Sequence, residues 1–180
     1  MGPAPFRVVL DACVLYPMPL CDTLLRAAHA ELYQPCWTAE ILGEVTRSLL
    51  ANGRATPDSA QRRRALMERY FPEADVTGYE RLIDAMPNHP KDRHVAAAAL
   101  KTGAQVIVTA NLRDFRPLPE GIEAPDPDRF LCDLLDLSPR RMTAVLHHQA
   151  ADLRAPSTVD RVLDRLATSA PRFVALMRAR

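Results

Sequence analysis

The chain has 180 residues, of which 48% are apolar and 25% charged, with a formal net charge of +1. This balance is typical of one soluble globular domain and excludes a polycation that binds nucleic acid by bulk charge. No apolar run approaches the roughly 18 residues of a membrane span, and the N-terminus lacks a basic region followed by a long apolar stretch. We therefore expect no signal peptide, no membrane association and a cytoplasmic location.

The cysteines lack the spacing of a zinc site. No two of them form a CxxC pair, and the four are Cys13, Cys21, Cys36 and Cys132. We expect free, mostly buried thiols in a reducing compartment.

Strands and helices alternate in the first part of the chain. A β-branched apolar run predicts the first strand, and apolar residues that recur every 3.6 positions predict the helices that follow. The predicted elements are a buried strand over 7–10, a loop marked by Pro17 and Pro19, a helix from Asp22 with apolar residues up to Leu32, a strand over 32–37, a helix from the N-cap Thr38 to Asn52-Gly53, and a helix from Thr56-Pro57 to about Tyr70.

The alternation continues to about residue 125, and only helices follow. The remaining elements are a short strand over 75–77, a helical turn through 79–83, a loop over 86–90, an alanine-rich helix from Asp92 to Gly103, a buried strand over 105–109, and helices around 130–135, from Ser138-Pro139, from Ser157 and from Pro171. This order predicts an α/β fold with a parallel sheet flanked by helices over residues 1–133, and an all-helical extension over 134–180.

Several acids are placed to meet at one edge of this sheet. Asp11 ends the first strand, and Asn111 and Asp114 follow the strand over 105–109. Ligands of open α/β sheets bind beyond the carboxyl ends of the strands. Asp92 begins the helix that precedes the strand over 105–109, which places it near the opposite end of the sheet. It reaches the carboxyl edge only if the loop before the helix carries it there. Glu44 lies mid-helix near the apolar side and could project inward.

Each acid also has a structural interpretation. Asp92 could cap its helix, Asp114 could pair with a neighbouring arginine, and Glu44 could pair with Arg47. Taken together, carboxylates near one point repel each other unless a cation is present. Oxygen ligands without Cys or His at ligand spacing indicate Mg²⁺ or Mn²⁺.

The arginine run over 62–64 and the histidine at position 94 each have two interpretations. The run Arg62-Arg63-Arg64 could bind phosphate or could form a solvated helix face. His94 could act as a general base or could be a packed residue of its alanine-rich helix. We expect His147 and His148 to face solvent.

Four motifs, LDACVLYP, ILGEVTRSL, KDRHVAAAAL and VIVTANLRDF, resemble those of PIN-domain ribonucleases in order and spacing. The closest likeness is to VapC-type toxins of bacterial toxin–antitoxin pairs, in a branch with added C-terminal helices. The resemblance covers about residues 6–132 and implies a three-layer α/β/α fold. It also implies a metal-dependent endoribonuclease that uses Mg²⁺ or Mn²⁺.

The resemblance assigns site residues by position. Asp11, Glu44 and Asp92 correspond to the first three acids of the family. Many relatives carry an acid where this chain has Asn111, so either the metal is bound more weakly or Asp114 substitutes. The implied metal ligands are these five residues, and the implied catalytic residues are the four acids. The resemblance also implies that the Thr109 hydroxyl bonds a ligand carboxylate or the phosphate. It implies RNA phosphate contacts for Arg93, Arg47 and Arg113.

The resemblance also implies partners. These are an RNA substrate with an unpaired loop, such as tRNA, a cognate antitoxin that covers the acidic rim, and a second copy in a homodimer. Two alternatives remain open. One is an inactive PIN fold that only binds RNA or antitoxin. The other is a haloacid-dehalogenase-like hydrolase with Asp11 as nucleophile, although that chemistry favours an acid where this chain has Cys13.

Overall fold

A computed structural model describes residues 6–153 and 157–180. Residues 1–5 belong to the N-terminal segment from which we expect no signal peptide, and they lie outside the described range. The strands are β1 (Arg7–Leu10), β2 (Gln34–Cys36) and β3 (Val106–Val108). The helices are α1 (Ala12–Leu15), α2 (Met18–His29), α3 (Ala39–Ala51), α4 (Pro57–Tyr70), α5 (Arg93–Thr102), α6 (Pro127–Leu137), α7 (Pro139–Asp152), α8 (Val159–Leu166) and α9 (Pro171–Arg178).

The three strands found in the described residues form one parallel sheet in the order β2-β1-β3. Val8 on the central strand lies opposite Pro35 on one side and Val106 on the other. Val8, Val9 and Leu10 are fully buried, as expected for a strand of a parallel sheet covered by helices. The predicted α/β class with a helical C-terminal region is confirmed.

The connection after β1 is more helical than predicted. Asp11 caps the four-residue helix α1, and Pro17 then caps α2, with a second proline in its first turn. The predicted loop is confined to a bend at Tyr16 and Pro17, and the prediction is wrong for Pro19, which lies in the first turn of α2 because proline has no N–H to lose there. Asp22 lies inside α2 and pairs with Arg26 at 2.9 Å.

The capping residues of the next helices lie where the sequence predicts them. The Thr38 hydroxyl accepts a hydrogen bond from the Ile41 amide at 3.1 Å, and α5 ends at Gly103 with φ of 69°. This left-handed conformation is the usual helix stop that glycine adopts without strain. The predicted strand at 75–77 is reduced to a single bridge between Trp37 and Asp75.

The C-terminal helices pack on the α/β part through a buried polar contact. Helix α7 lies against α2, and the Thr23 hydroxyl donates to Gln149 Oε1 at 2.8 Å. Gln149 Nε2 in turn donates to the Pro19 carbonyl at 3.2 Å. Helix α6 runs without interruption through the predicted boundary between residues 133 and 134. Among the described helices, none combines the length and apolar character that crossing a bilayer requires.

Candidate active site

Asp11 is a buried carboxylate whose oxygens already have several donors. It follows β1 directly, and only 5% of the residue is exposed. Its Oδ1 accepts a hydrogen bond from the Ala12 amide at 2.7 Å. Its Oδ2 accepts from the Thr109 hydroxyl at 2.7 Å and from the Cys13 thiol at 3.1 Å. These donors compensate for burial of the charge and fix the orientation of the carboxylate.

Cys13 remains a thiol in this environment. Burial, and secondly the charge of Asp11, raise the pKa of Cys13 to about 12. The thiol is therefore protonated at neutral pH and acts as a hydrogen-bond donor to the carboxylate. All four cysteines are free, as predicted.

Asp92 reaches the carboxyl end of the sheet because the loop before α5 folds back toward the residues after β3. The His89 amide donates to the Asp114 carbonyl at 3.0 Å, and the Asp92 amide donates to the His89 carbonyl at 2.9 Å. A 3₁₀ turn over Pro90–Asp92 then leads into α5. The Asp92 side chain is nearly buried, with 6% of the residue exposed.

One cavity of about 560 Å³ brings together residues from four separate parts of the chain. Its wall includes the side chains of Asp11, Glu44, Asp92 and Asn111. Two basic residues also line it, Arg47 from α3 and Lys91 from the loop before α5. The cavity therefore combines oxygen ligands with cationic groups, although the carboxylates outnumber the bases.

Asn111 lies between two of the acids. Its Nδ2 donates to Asp114 Oδ2 at 2.6 Å and reaches Asp92 Oδ2 at 3.5 Å. Among the described residues, the closest group of potential metal ligands is His89, Asp92 and Asp114, whose ligand atoms lie within 4.8 Å of one another. Asp11 and Glu44 stand outside this group. His89 was not identified from the sequence, because a histidine three residues before an acid in an irregular loop has no recognisable ligand spacing.

The electrostatics of the site favour a cation. Burial, and then the charges of Asp11, Asp114 and Glu44, raise the pKa of Asp92, with Lys91 acting in the opposite direction. A divalent ion would relieve this repulsion, and Mg²⁺ and Mn²⁺ favour the carboxylate oxygens of these acids as ligands. The donor set therefore fits Mg²⁺ or Mn²⁺.

Glu44 is held close to His94. His94 Nε2 lies 3.5 Å from Glu44 Oε1, and Nδ1 lies 3.7 Å from Glu40 Oε2. Neither ring nitrogen makes a hydrogen bond to a described residue, and only 4% of His94 is exposed. Burial lowers the pKa of His94, but the carboxylates, Glu44 first, raise it overall, and His94 in turn lowers the pKa of Glu44. His94 is thus packed against the site wall, whereas the geometry gives no support to a general-base role.

The other residues suggested by the sequence are more dispersed. Thr109 is fully buried and donates to Asp11, and Arg47 lines the cavity. Arg93 donates through Nε to the Asn88 carbonyl at 3.1 Å, so part of its guanidinium is engaged by the loop. Arg113 is exposed and does not line the cavity.

The parallel sheet, with these acids beyond the carboxyl ends of its strands, is the arrangement expected of a metal-dependent nuclease fold, and comparison with known protein families identifies the family. Residues 7–113 match the family model described as a PIN domain, and the chain belongs to that family. Residues 127–179 match a second model, described as a VapC50 C-terminal domain. The family assignment replaces the haloacid-dehalogenase alternative.

A curated relative matches part of the chain. The chain is 45% identical over 105 residues to the protein named Putative ribonuclease VapC50 of Mycobacterium tuberculosis. The matched segment covers 56% of this chain and 62% of the relative, so it spans less than two thirds of that protein. No solved structure matches the chain.

Proposed function

We propose that this protein is a metal-dependent endoribonuclease and the toxin of a type II toxin–antitoxin pair. The observation that carries the proposal is the single cavity lined by Asp11, Glu44, Asp92 and Asn111, with Arg47 and Lys91 beside them. Membership of the PIN family and the name of the curated relative support a ribonuclease with VapC-like character.

The residues of the chain divide the work. Asp11, Glu44 and Asp92 are the proposed metal ligands, with Asn111 and Asp114 completing the site. Thr109, Cys13 and the Ala12 amide hold the Asp11 carboxylate in one orientation. Arg47 and Lys91 line the same cavity and would attract and orient the phosphodiester.

Bound Mg²⁺ or Mn²⁺ would lower the pKa of water for attack on phosphorus and would neutralise charge on the phosphoryl and leaving oxygens. The protein positions the phosphodiester for attack and excludes other orientations of the substrate. Cleavage by attack of water at an internal phosphodiester defines an endoribonuclease.

The substrate that suits a cavity at the edge of a sheet is single-stranded RNA. An unpaired loop, such as that of a tRNA, can present its backbone to a recessed site more readily than a duplex can. The proposed partners are a cognate antitoxin that covers the acidic rim and a second copy in a homodimer, in the cytoplasm.

Cleavage of a short single-stranded RNA with Mn²⁺, Mg²⁺ or EDTA tests the proposal. The wild-type protein should cleave with either metal and not in EDTA. The variant Asp11→Asn should lose cleavage while remaining folded. The control Asp84→Asn changes an exposed acid of the same charge outside the cavity and should cleave normally.

Asn111 supports a second candidate, an RNA- or antitoxin-binding module without catalysis. Its amide carries no charge and already donates to Asp114, so the site has one acid fewer than many relatives. RNA binding by the wild-type protein without cleavage in either metal would favour this module. Metal-dependent cleavage that Asp11→Asn abolishes would exclude it.

A further inference from the structure

A second cavity adjoins the candidate active site. It encloses about 530 Å³ between the α1–α2 connection, the end of α3 and the start of α4. Tyr16 lines both this cavity and the one that contains Asp11. A chain bound across the active site can therefore continue into the second cavity past Tyr16.

The charged residues that line the second cavity are arginines. Arg54 and Arg63 contribute to its wall, and none of the described residues that line it is an acid. Within residues 6–153 and 157–180, neither guanidinium has an ion-pair partner. Two guanidinium groups without an ion-pair partner line this recess, and the planar fork of such a group can donate hydrogen bonds to phosphate oxygens.

Arg63 is held in place by the backbone that leaves the active site. Its Nη1 donates to the Tyr16 carbonyl at 3.4 Å, and its Nη2 donates to the Leu15 carbonyl. These bonds fix the guanidinium without neutralising its charge. The binding of an anion here would therefore cost little side-chain ordering at Arg63.

We propose that this second cavity, which we call the arginine cavity, binds a backbone phosphate of the RNA next to the scissile bond. The inference rests on the proposed nuclease function, since it extends the path of the substrate from the active site. In this proposal Arg54 and Arg63 bind the substrate, and the reaction takes place in the active-site cavity that contains Asp11. Connection through Tyr16 favours RNA over an acidic segment of a protein partner.

The test measures binding of a short single-stranded RNA to the Asp11→Asn protein as a function of salt, because this background binds without cleaving. Adding Arg54→Gln should weaken binding about tenfold, the usual effect of losing a charge-assisted hydrogen bond. It should also lower the slope of log affinity against log salt by about 0.7, the value for one phosphate contact on a single strand. Arg54 is exposed, so folding should be unaffected, as circular dichroism can verify.

Arg69→Gln is the matched control. Arg69 is an exposed arginine of α4 that lines neither the arginine cavity nor the active-site cavity. The control should change affinity less than twofold and leave the salt slope unaltered. Equal effects of Arg54→Gln and Arg69→Gln would overturn the inference, because they would indicate only a general loss of positive charge.

The outcomes separate this inference from the proposed function. If the wild-type protein cleaves RNA but Arg54→Gln leaves affinity and salt slope unchanged, the inference fails and the nuclease stands. If Arg54→Gln weakens binding as expected but no metal gives cleavage, the inference stands and the nuclease fails. An absence of RNA binding overturns both. An acidic peptide bound through Arg54, with RNA binding unchanged by the variant, overturns the inference in favour of a protein partner.

Discussion

Replacement of Asp92 by Asn should stabilise the metal-free protein. Ligand atoms of Asp92 and Asp114 lie within 4.8 Å of one another, and at this distance two unit charges repel by about 3.5 kcal/mol at an effective dielectric constant of about 20 and by about 0.9 kcal/mol in water. Asp114 is only partly buried, and the Asn111 amide offsets part of the repulsion. We therefore expect Asp92→Asn to raise the free energy of unfolding by about 1–2 kcal/mol, within these limits.

The same substitution should weaken the response to metal. A ligand at 100 times its dissociation constant stabilises the native state by about 2.7 kcal/mol. The wild-type protein should gain stability when Mn²⁺ replaces EDTA, whereas Asp92→Asn should gain much less because a negatively charged ligand is missing. For a chain of this length, each kcal/mol corresponds to roughly 2–4 °C in melting temperature.

Urea denaturation and thermal melts, each in EDTA and in excess Mn²⁺, measure both effects. The control Asp84→Asn removes an exposed acid outside the cavity and should change stability by less than about 0.5 kcal/mol. A loss of stability of Asp92→Asn in EDTA would show that the carboxylate is favourably paired. Full Mn²⁺ stabilisation of this variant would show that Asp92 is no ligand.

Three other substitutions have defined outcomes. Gln149→Ala should lower the free energy of unfolding by about 0.5–1.5 kcal/mol in urea, because the Thr23 hydroxyl and the Pro19 carbonyl each lose one hydrogen bond but keep the one between them, whereas His147→Ala at an exposed neighbouring position should stay within about 0.5 kcal/mol. His94→Gln should reduce Mn²⁺ affinity by up to about fivefold by isothermal titration, because the contact of Nε2 with Glu44 Oε1 at 3.5 Å is an ion pair of at most about 1 kcal/mol, and His148→Gln should not change the affinity. Thr109→Val should destabilise the protein by about 1.5–3 kcal/mol in urea, because it removes a donor to a buried carboxylate.

Different results would refute these arguments. Equal stability of Gln149→Ala and His147→Ala would show that the contact between α7 and α2 adds nothing. Unchanged Mn²⁺ affinity in His94→Gln would leave His94 as a packing residue only. Wild-type stability of Thr109→Val would mean that the carboxylate finds another donor.

The sequence predicted the sheet well because its signal is local. The short runs at 8–10 and 106–108 are rich in β-branched residues, which is typical of strands covered on both faces of a parallel sheet. Helices with a clear N-cap, such as the one after Thr38, were also predicted close to their observed starts. The helix over 12–15 was missed because four residues are too few to show a helical period.

The site was harder to predict, because its geometry depends on tertiary contacts. From position alone, Asp92 belonged near the opposite end of the sheet. It reaches the carboxyl edge only through backbone hydrogen bonds between its loop and the residues after β3. His89 was missed for the same reason, since its proximity to Asp114 is a property of that folded loop. Likewise, the sequence could not show that Arg63 lies beside the connection that follows Asp11.

The buried contact of Gln149 with Thr23 and the Pro19 carbonyl limits how this protein can be recombined with its relatives. A chimaera that takes its last helices from another chain would leave the Thr23 hydroxyl facing a side chain of unmatched shape or polarity. Such grafts should lose stability by about the contribution of this contact, roughly 1 kcal/mol, unless residues of α2 are transferred along with the helices. Residues on both sides of the contact between α2 and α7 therefore have to be exchanged together.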